Sequence, residues 1–274
     1  METLAFGYQL VEAPRVDDAG NLYFTDVVGG GVFRRAPDGA LTTIVPKRRG
    51  CGGLVLHADG GVVVSGRSVV HVRDGETRTL LEVEGVVGFN DLTTDREGRV
   101  YVGSLRTGAF DSGPRVAGEL WRVEGPGQAT AVYGGVEFAN GVGFSPDGRT
   151  VYHSNYSEGC VLAHDLDADG RAGNRRIFAR VPSGNPDGLA VDETGAVWVA
   201  LGSAGGVARF RPDGTLEEVL DVPASFVTSL CFGGLDRRDL YVTTATNSED
   251  PARQGTIFRT RAPAPGMIAP VARV

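Results

Sequence analysis

The sequence predicts an all-β chain folded as a six-bladed β-propeller with four antiparallel strands per blade. Three observations carry this. Turn-plus-strand units recur along the chain, with repeat glycines Gly20, Gly60, Gly98, Gly148 and Gly195 spaced 38–50 residues apart. That period suits a four-stranded blade. The apolar runs alternate with period two, as in Leu22-Tyr23-Phe24-Thr25-Asp26, and no segment shows a sustained helical stripe. Finally, 41 of the 274 residues are glycine, about twice the usual ~7%, and they fall in turns between apolar runs.

The units start near Val11, Gly52, Phe89, Asn140, Asp187 and Val227. Each begins with an apolar run, then a turn such as Asp18-Ala19-Gly20, Arg96-Glu97-Gly98, Pro146-Asp147-Gly148 or Glu193-Thr194-Gly195, then a second apolar run. A hairpin follows. Gly31–Arg35 leads through Pro37-Asp38-Gly39 to Leu41–Val45, and Val207–Phe210 leads through Pro212-Asp213-Gly214 to Leu216–Leu220. The sixth unit has a longer turn, Gly233–Arg238, before Leu240-Tyr241-Val242. Six twisted sheets around an axis close into a ring with a central channel. The repeat runs almost end to end without a linker, so residues 1–274 are expected to form one domain. The segment Leu105–Gly118 breaks the repeat and carries Arg106, Phe110, Asp111 and Arg115. It reads either as a surface insertion or as the wall of a binding site.

A formal net charge of −7, with Lys47-Arg48-Arg49 as the main basic cluster, argues against a nucleic-acid partner. Pro46 and Gly50 flank that cluster, which reads as a solvated loop. No stretch is long and apolar enough for a membrane-spanning helix. Met1-Glu2-Thr3-Leu4 lacks the start of a secretion signal. Cys51, Cys160 and Cys231 lack metal-site spacing. A cytoplasmic protein with reduced thiols and a small-molecule substrate is expected.

Eight residues before the repeat glycines stand Glu12, Asn90, Asn140 and Asp187. The second repeat has Gly52 at this register. An Asp or Asn before glycine is ordinarily turn chemistry. Here, however, the polar residue precedes the innermost apolar run, as with Val142 and Phe144 or Leu189 and Val191. A ring brings these four oxygen-bearing groups to one mouth of the channel. Two carboxylates and two amides converging there need a partner. A hard cation such as Ca²⁺, Mg²⁺ or Mn²⁺ suits them best, with Zn²⁺ and Fe²⁺ still open. Such an ion is either catalytic, with open positions for water and substrate, or a staple between blades. Other chemistries fare worse. There is no G-x-S-x-G elbow, no phosphate loop around Gly29-Gly30-Gly31 or Gly202–Gly206, and no nucleophile paired with His57, His71, His153 or His164. His153 either lines the channel or is packed within its sheet.

The motifs Glu12-Ala13-Pro14, Phe89-Asn90-Asp91, Asn140-Gly141 with Ser145-Pro146-Asp147-Gly148, Pro186-Asp187-Gly188, and Cys231-Phe232-Gly233-Gly234 with Leu240-Tyr241-Val242-Thr243 together resemble the senescence marker protein, gluconolactonase and luciferin-regenerating-enzyme family. The resemblance implies one divalent metal held by Glu12, Asn140 and Asp187. It also implies Asp187 as the base for water and Asn90 as a contact to bound water or substrate. The implied activity is hydrolysis of a lactone or related cyclic ester. The alternatives are isomerisation, elimination or cyclisation at the same site, and a non-catalytic binding propeller. Two departures stand out. Gly88 occupies the place of an arginine that contacts substrate hydroxyls in sugar-lactone members, and Asn155 stands where Asp is frequent. Arg106 and Arg115 are the candidates to supply the missing positive group.

Overall fold

The computed structural model describes residues 1–108 and 111–274; Phe110 of the extra loop lies outside the described residues. Strand β1 is Glu2–Tyr8. Blade 1 comprises β2 (Val11–Val16), β3 (Leu22–Asp26), β4 (Gly31–Arg35) and β5 (Leu41–Pro46). Blade 2 comprises β6 (Leu54–Leu56), β7 (Val62–Val64), β8 (Val69–Arg73) and β9 (Glu76–Leu81). Blade 3 comprises β10 (Gly88–Thr94), β11 (Val100–Leu105), β12 (Gly118–Gly125) and β13 (Gln128–Val136). Blade 4 comprises β14 (Ala139–Phe144), β15 (Thr150–Asn155), β16 (Cys160–Leu166) and β17 (Ala172–Arg180). Blade 5 comprises β18 (Leu189–Val191), β19 (Val197–Ala200), β20 (Val207–Phe210) and β21 (Leu216–Leu220).

Blade 6 is assembled differently from the expected unit. It takes β22 (Val227–Gly233), β23 (Asp239–Thr244) and β24 (Gly255–Arg261) from the C-terminal region and adds β1 as its outer strand. Strand β1 pairs antiparallel with β24, Glu2 opposite Arg259 and Tyr8 opposite Gly255. The ring is thus latched by its first strand. All six sheets are antiparallel and four-stranded, blades 1 to 5 as meanders, and the inner strands β2, β6, β10, β14, β18 and β22 line the axis.

The core lies between sheets. Trp198 and Val207 of blade 5 bury themselves against Leu230, Phe232, Leu240 and Phe258 of blade 6. The three cysteines are buried and free. Burial pushes the Cys51 thiol up to about 11 and the Cys231 thiol up to about 12, so neither is a thiolate near neutrality.

The aspartate turns that punctuated the sequence close the β-hairpins. Asp17 accepts from the amides of Ala19 and Asn21, and Asp95 from those of Glu97 and Arg99. Asp192 is the most committed of them. It accepts from the amides of Thr194 and Ala196, from Trp198 Nε1 at 3.0 Å and from Arg209 at 3.1 Å. Burial alone would raise its pKa, but these bonds outweigh burial and hold the carboxyl below the usual carboxylate value. Asp192→Ala is therefore expected to cost about 3 kcal/mol at neutral pH. A lowered folded-state pKa gives stability that is present above the unfolded value of ~3.9 and lost as pH falls through the folded value. The gap between wild type and variant in urea melts should accordingly shrink below about pH 4.

The C-terminal segment runs across the far mouth of the channel. The Met267 amide donates to the Val191 carbonyl, that of Ala272 to Leu56 and that of Arg273 to Gly98. His57 Nε2 contacts the Val274 carbonyl at 3.1 Å.

Candidate active site

The polar rung forms where the inner strands are irregular. The β2–β3 register shifts between Glu12 and Arg15, β10–β11 between Phe89 and Leu92, and β14–β15 between Ala139 and Val142. These shifts fall at Glu12, Asn90 and Asn140. Bulges re-aim side chains, which is how polar groups leave the apolar alternation to face the mouth. Ala13, inside the first bulge, adopts φ +51°. Asp187 sits just before β18. Its amide donates to the Ala200 carbonyl at 2.9 Å and its own carbonyl accepts from Gly141 at 3.1 Å. The next amide, Gly188, donates to the Thr228 carbonyl at 2.8 Å. This backbone approach requires glycine: a Cβ on Gly188 would lie 2.7 Å from Ser229 Cα. Asp187 is thereby fastened to the blades on both sides.

Glu12, Asn140 and Asp187 are buried at 7%, 5% and 4% exposure. Asn90 is half-buried. Its Nδ2 donates to the Ala139 carbonyl at 3.0 Å, and its Oδ1 occupies the space a side chain at Gly52 would fill. The glycine of the second rung is therefore the seat for Asn90. The sixth rung carries Thr228, whose hydroxyl is spent on the Val11 carbonyl at 2.5 Å.

The electrostatics are those of crowded acids. Desolvation raises Glu12 well above its usual value, and the charges of Asp187 and Asp91 raise it further. Desolvation, then the Asp91 charge, likewise raises Asp187, against hydrogen bonds from Asn140 and Gly188. Asp187 Oδ1 is buried and has no hydrogen-bond partner. A buried carboxylate oxygen left orphaned is costly.

Sequence reasoning missed Asp91 and Arg15. Asp91 is buried and pushed up to about 6 by desolvation, against the Arg15 guanidinium and a bond from the Leu92 amide. Arg15 Nη2 lies 3.7 Å from Asp91 and donates to the Leu92 carbonyl at 2.8 Å. The pair sits beneath the rung. A signal existed: the residue after the rung position is Ala13, Gly53, Gly141, Gly188 or Ser229 elsewhere, and an acid only at Asp91.

Arg106 and Arg115 have different settings. Arg106 is braced by Glu119, through Nε and Nη2, both at 2.8 Å. Arg115 donates to the Gly108 carbonyl at 3.1 Å and lies 4.5 Å over the Phe138 ring. Phe138 meets Tyr156 edge-on at 5.3 Å. Tyr156 is raised by burial and then by the Asp187 charge, with Arg115 opposing. These three residues border the acidic rung. His153 belongs to the interior: it is fully buried, bonded through Nδ1 to the Tyr133 hydroxyl at 3.1 Å, and pushed down to about 3 by desolvation.

Among the described residues no group of three or more His, Cys, Asp and Glu side chains stands together as a metal cluster, and the rung's remaining donors are amides. No helix is long and apolar enough to cross a membrane among the described residues.

Fold and rung together define a six-bladed propeller with a ring of carboxylate and amide groups at one mouth of its channel. Residues 10–246 match the family model of the SMP-30/gluconolactonase/LRE-like region, and the chain belongs to that family. It is 34% identical over 268 residues to a 6-deoxy-6-sulfogluconolactonase of Pseudomonas putida, covering 91% of this chain and 90% of the relative. It is 32% identical to pentonolactonase XacC of Haloferax volcanii, over 85% of this chain and 80% of that one. Among solved structures, a luciferin-regenerating enzyme superposes with a TM-score of 0.88 at 24% identity, over 99% of this chain and 97% of the other. Regucalcin of Agrobacterium tumefaciens, described as a calcium-binding protein, gives 0.86 at 23% identity, with the same coverage. The structural likenesses bear on the fold.

Proposed function

We propose that the protein is a metal-dependent lactonase whose reaction takes place at the polar rung. The observation that carries this reading is the orphaned, buried Asp187 Oδ1 beside Glu12. The sequence relatives named for sugar-lactone hydrolysis support the same reaction class. Glu12, Asn140 and Asp187 fit a hard divalent ion, since all three offer oxygen and the two buried acids repel each other, with only the charge of Arg15, itself paired with Asp91, opposing at Glu12. Ca²⁺, Mg²⁺, Mn²⁺, Zn²⁺ and Fe²⁺ all remain in the set to be tested. Bound there, such an ion would act as a Lewis acid toward the ring-ester carbonyl and make nearby water more acidic.

The protein groups supply the rest. Asp187 is the general base, accepting the proton of the attacking water as water adds to the acyl carbon. The acyl–oxygen bond then breaks, and the proton returns to the departing alkoxide, leaving a hydroxy acid. Asn90, held by the Ala139 carbonyl, orients water or a substrate hydroxyl through its amide. Arg115, on the wall with Phe138 and Tyr156, meets substrate oxygens near the reacting end. Arg106, tied to Glu119, borders the same mouth.

Purified protein should acidify unbuffered solutions of five- and six-membered sugar lactones, lose that activity in chelator and regain it with one divalent ion. Absence of turnover across the panel with metal loaded would sink the lactonase reading. Chelator-insensitive turnover would sink its metal part.

A further inference from the structure

The basic run Lys47-Arg48-Arg49 is not simply a solvated loop. It leads from β5 to β6 at the mouth that carries the rung. Arg48 is half-buried, and its guanidinium is gripped along one edge, with Nε 3.4 Å from the Ser65 carbonyl and Nη2 2.9 Å from that of Ser68. Two glycines, Gly66 and Gly88, lie next to it or lead on from it. A Cβ on Gly66, at φ +137°, would lie 3.3 Å from Arg48 Nη2. One on Gly88 would lie 3.6 Å from the Gly66 carbonyl. The Phe89 amide donates to that same carbonyl at 2.7 Å. Asn90 follows immediately, resting on Gly52. The guanidinium therefore stands on a glycine floor that leads straight to the rung.

The charge around it is one-sided. Lys47, Arg48, Arg49 and Arg67 lie on two adjacent loops, and among the described residues none of them enters an ion pair. In contrast, Arg106 on the next blade is neutralised by Glu119. Four cations outside any ion pair, on loops at the mouth that carries the buried acids, in a chain of net charge −7, favour an anion there. A guanidinium pinned along one edge still offers donors to an oxyanion.

We propose that Arg48 is the specificity-determining residue for a lactone carrying a strongly anionic group, phosphate or sulfonate, at the end remote from its ring carbonyl. Arg49, Arg67 and Lys47 attract that group, and the glycine floor makes room for it. This inference rests on the lactonase reading.

The test compares a six-carbon δ-lactone with phosphate on its terminal carbon, the same lactone with sulfonate there, and the neutral parent. Wild type should prefer the anionic lactones in kcat/KM, and the preference should fall with added salt. Arg48→Gln should cut the preference about tenfold or more, through KM rather than kcat. Arg48→Lys should recover part of it. Arg73→Gln, on the exposed hairpin between β8 and β9, controls for the loss of any arginine. Should Arg48→Gln fail to fold, Arg49→Gln with Arg67→Gln replaces it in the same comparison. Equal kcat/KM for charged and neutral lactones in wild type overturns the proposal, as does a preference that survives Arg48→Gln. If metal-loaded wild type hydrolyses none of the three, the lactonase reading fails by itself. Calorimetric binding of the phosphorylated open-chain acid to wild type and Arg48→Gln then decides the role of Arg48, and equal affinities overturn it.

Discussion

Asp187→Asn should abolish hydrolysis while making the metal-free protein more stable. In the folded chain the Asp187 carboxylate is buried beside Glu12 and Asp91, its pKa is raised by that burial and by the Asp91 charge, and Oδ1 has no partner. An amide of the same shape removes one negative charge from the cluster and brings a donor to it. Relief of a buried like-charge contact is worth on the order of 1 kcal/mol or more. In a chain of this size that corresponds to roughly 2–4 °C in Tm. The same change would remove the proposed base and one proposed cation ligand, so lactone turnover should fall about 10³-fold. Melting curves in chelator, read beside lactone turnover in metal, check both halves. A variant that melts below wild type in chelator, or keeps more than about a tenth of its activity, contradicts the assignment. A site that destabilises its own fold in this way is one where function has been retained at the expense of stability.

The stability of the metal-free protein should fall as pH rises, and a bound cation should reverse that trend. Asp91 has a folded-state pKa of about 6, against ~3.9 in an unfolded chain. Between those values the folded state holds the extra proton, so stability declines as pH rises through the window. The penalty is complete above about 6 and on the order of 3 kcal/mol. Glu12 and Asp187 are raised as well and act in the same direction. A divalent ion held at the rung, as proposed, would take the place of the protons, so it should bind more tightly as pH rises. At a hundredfold excess over its Kd it would add ~2.7 kcal/mol, which is roughly 5–10 °C. Tm measured from pH 5 to pH 8, in chelator and in metal, should give two curves that diverge with pH. Parallel curves would show that the acids and the ion do not share a site.

The repeat made much of this legible. Glu12, Asn90, Asn140 and Asp187 announced themselves because ring symmetry converts a shared offset into a shared place, and the inner strands were readable from their alternation. The latch strand β1 was not, because its partner β24 lies some 250 residues away and neither belongs to the repeating hairpin. Asp91 was given no role, standing only as a motif neighbour of Asn90. Only a comparison with the small residues at the same place in the other blades exposes it. The partnership of Arg106 with Glu119 depends on how the extra loop folds back on β12, which no local pattern encodes. Arg48 looked like surface charge because its carbonyl partners at Ser65 and Ser68 come from the neighbouring loop.

The C-terminal segment crosses the far mouth of the channel, and a cavity of about 300 Å³ lies beside it, lined by Arg15, Thr93, Leu230 and Pro270. On the proposed lactonase reading, substrate reaches the rung past the Arg48 loop and the Phe138–Tyr156 wall, and product leaves on that side. Ring opening turns a compact cyclic ester into a longer hydroxy acid with one more negative charge. At the proposed site that charge would arise beside the buried acids, which would oppose it. Product and next substrate would then contend for the same mouth.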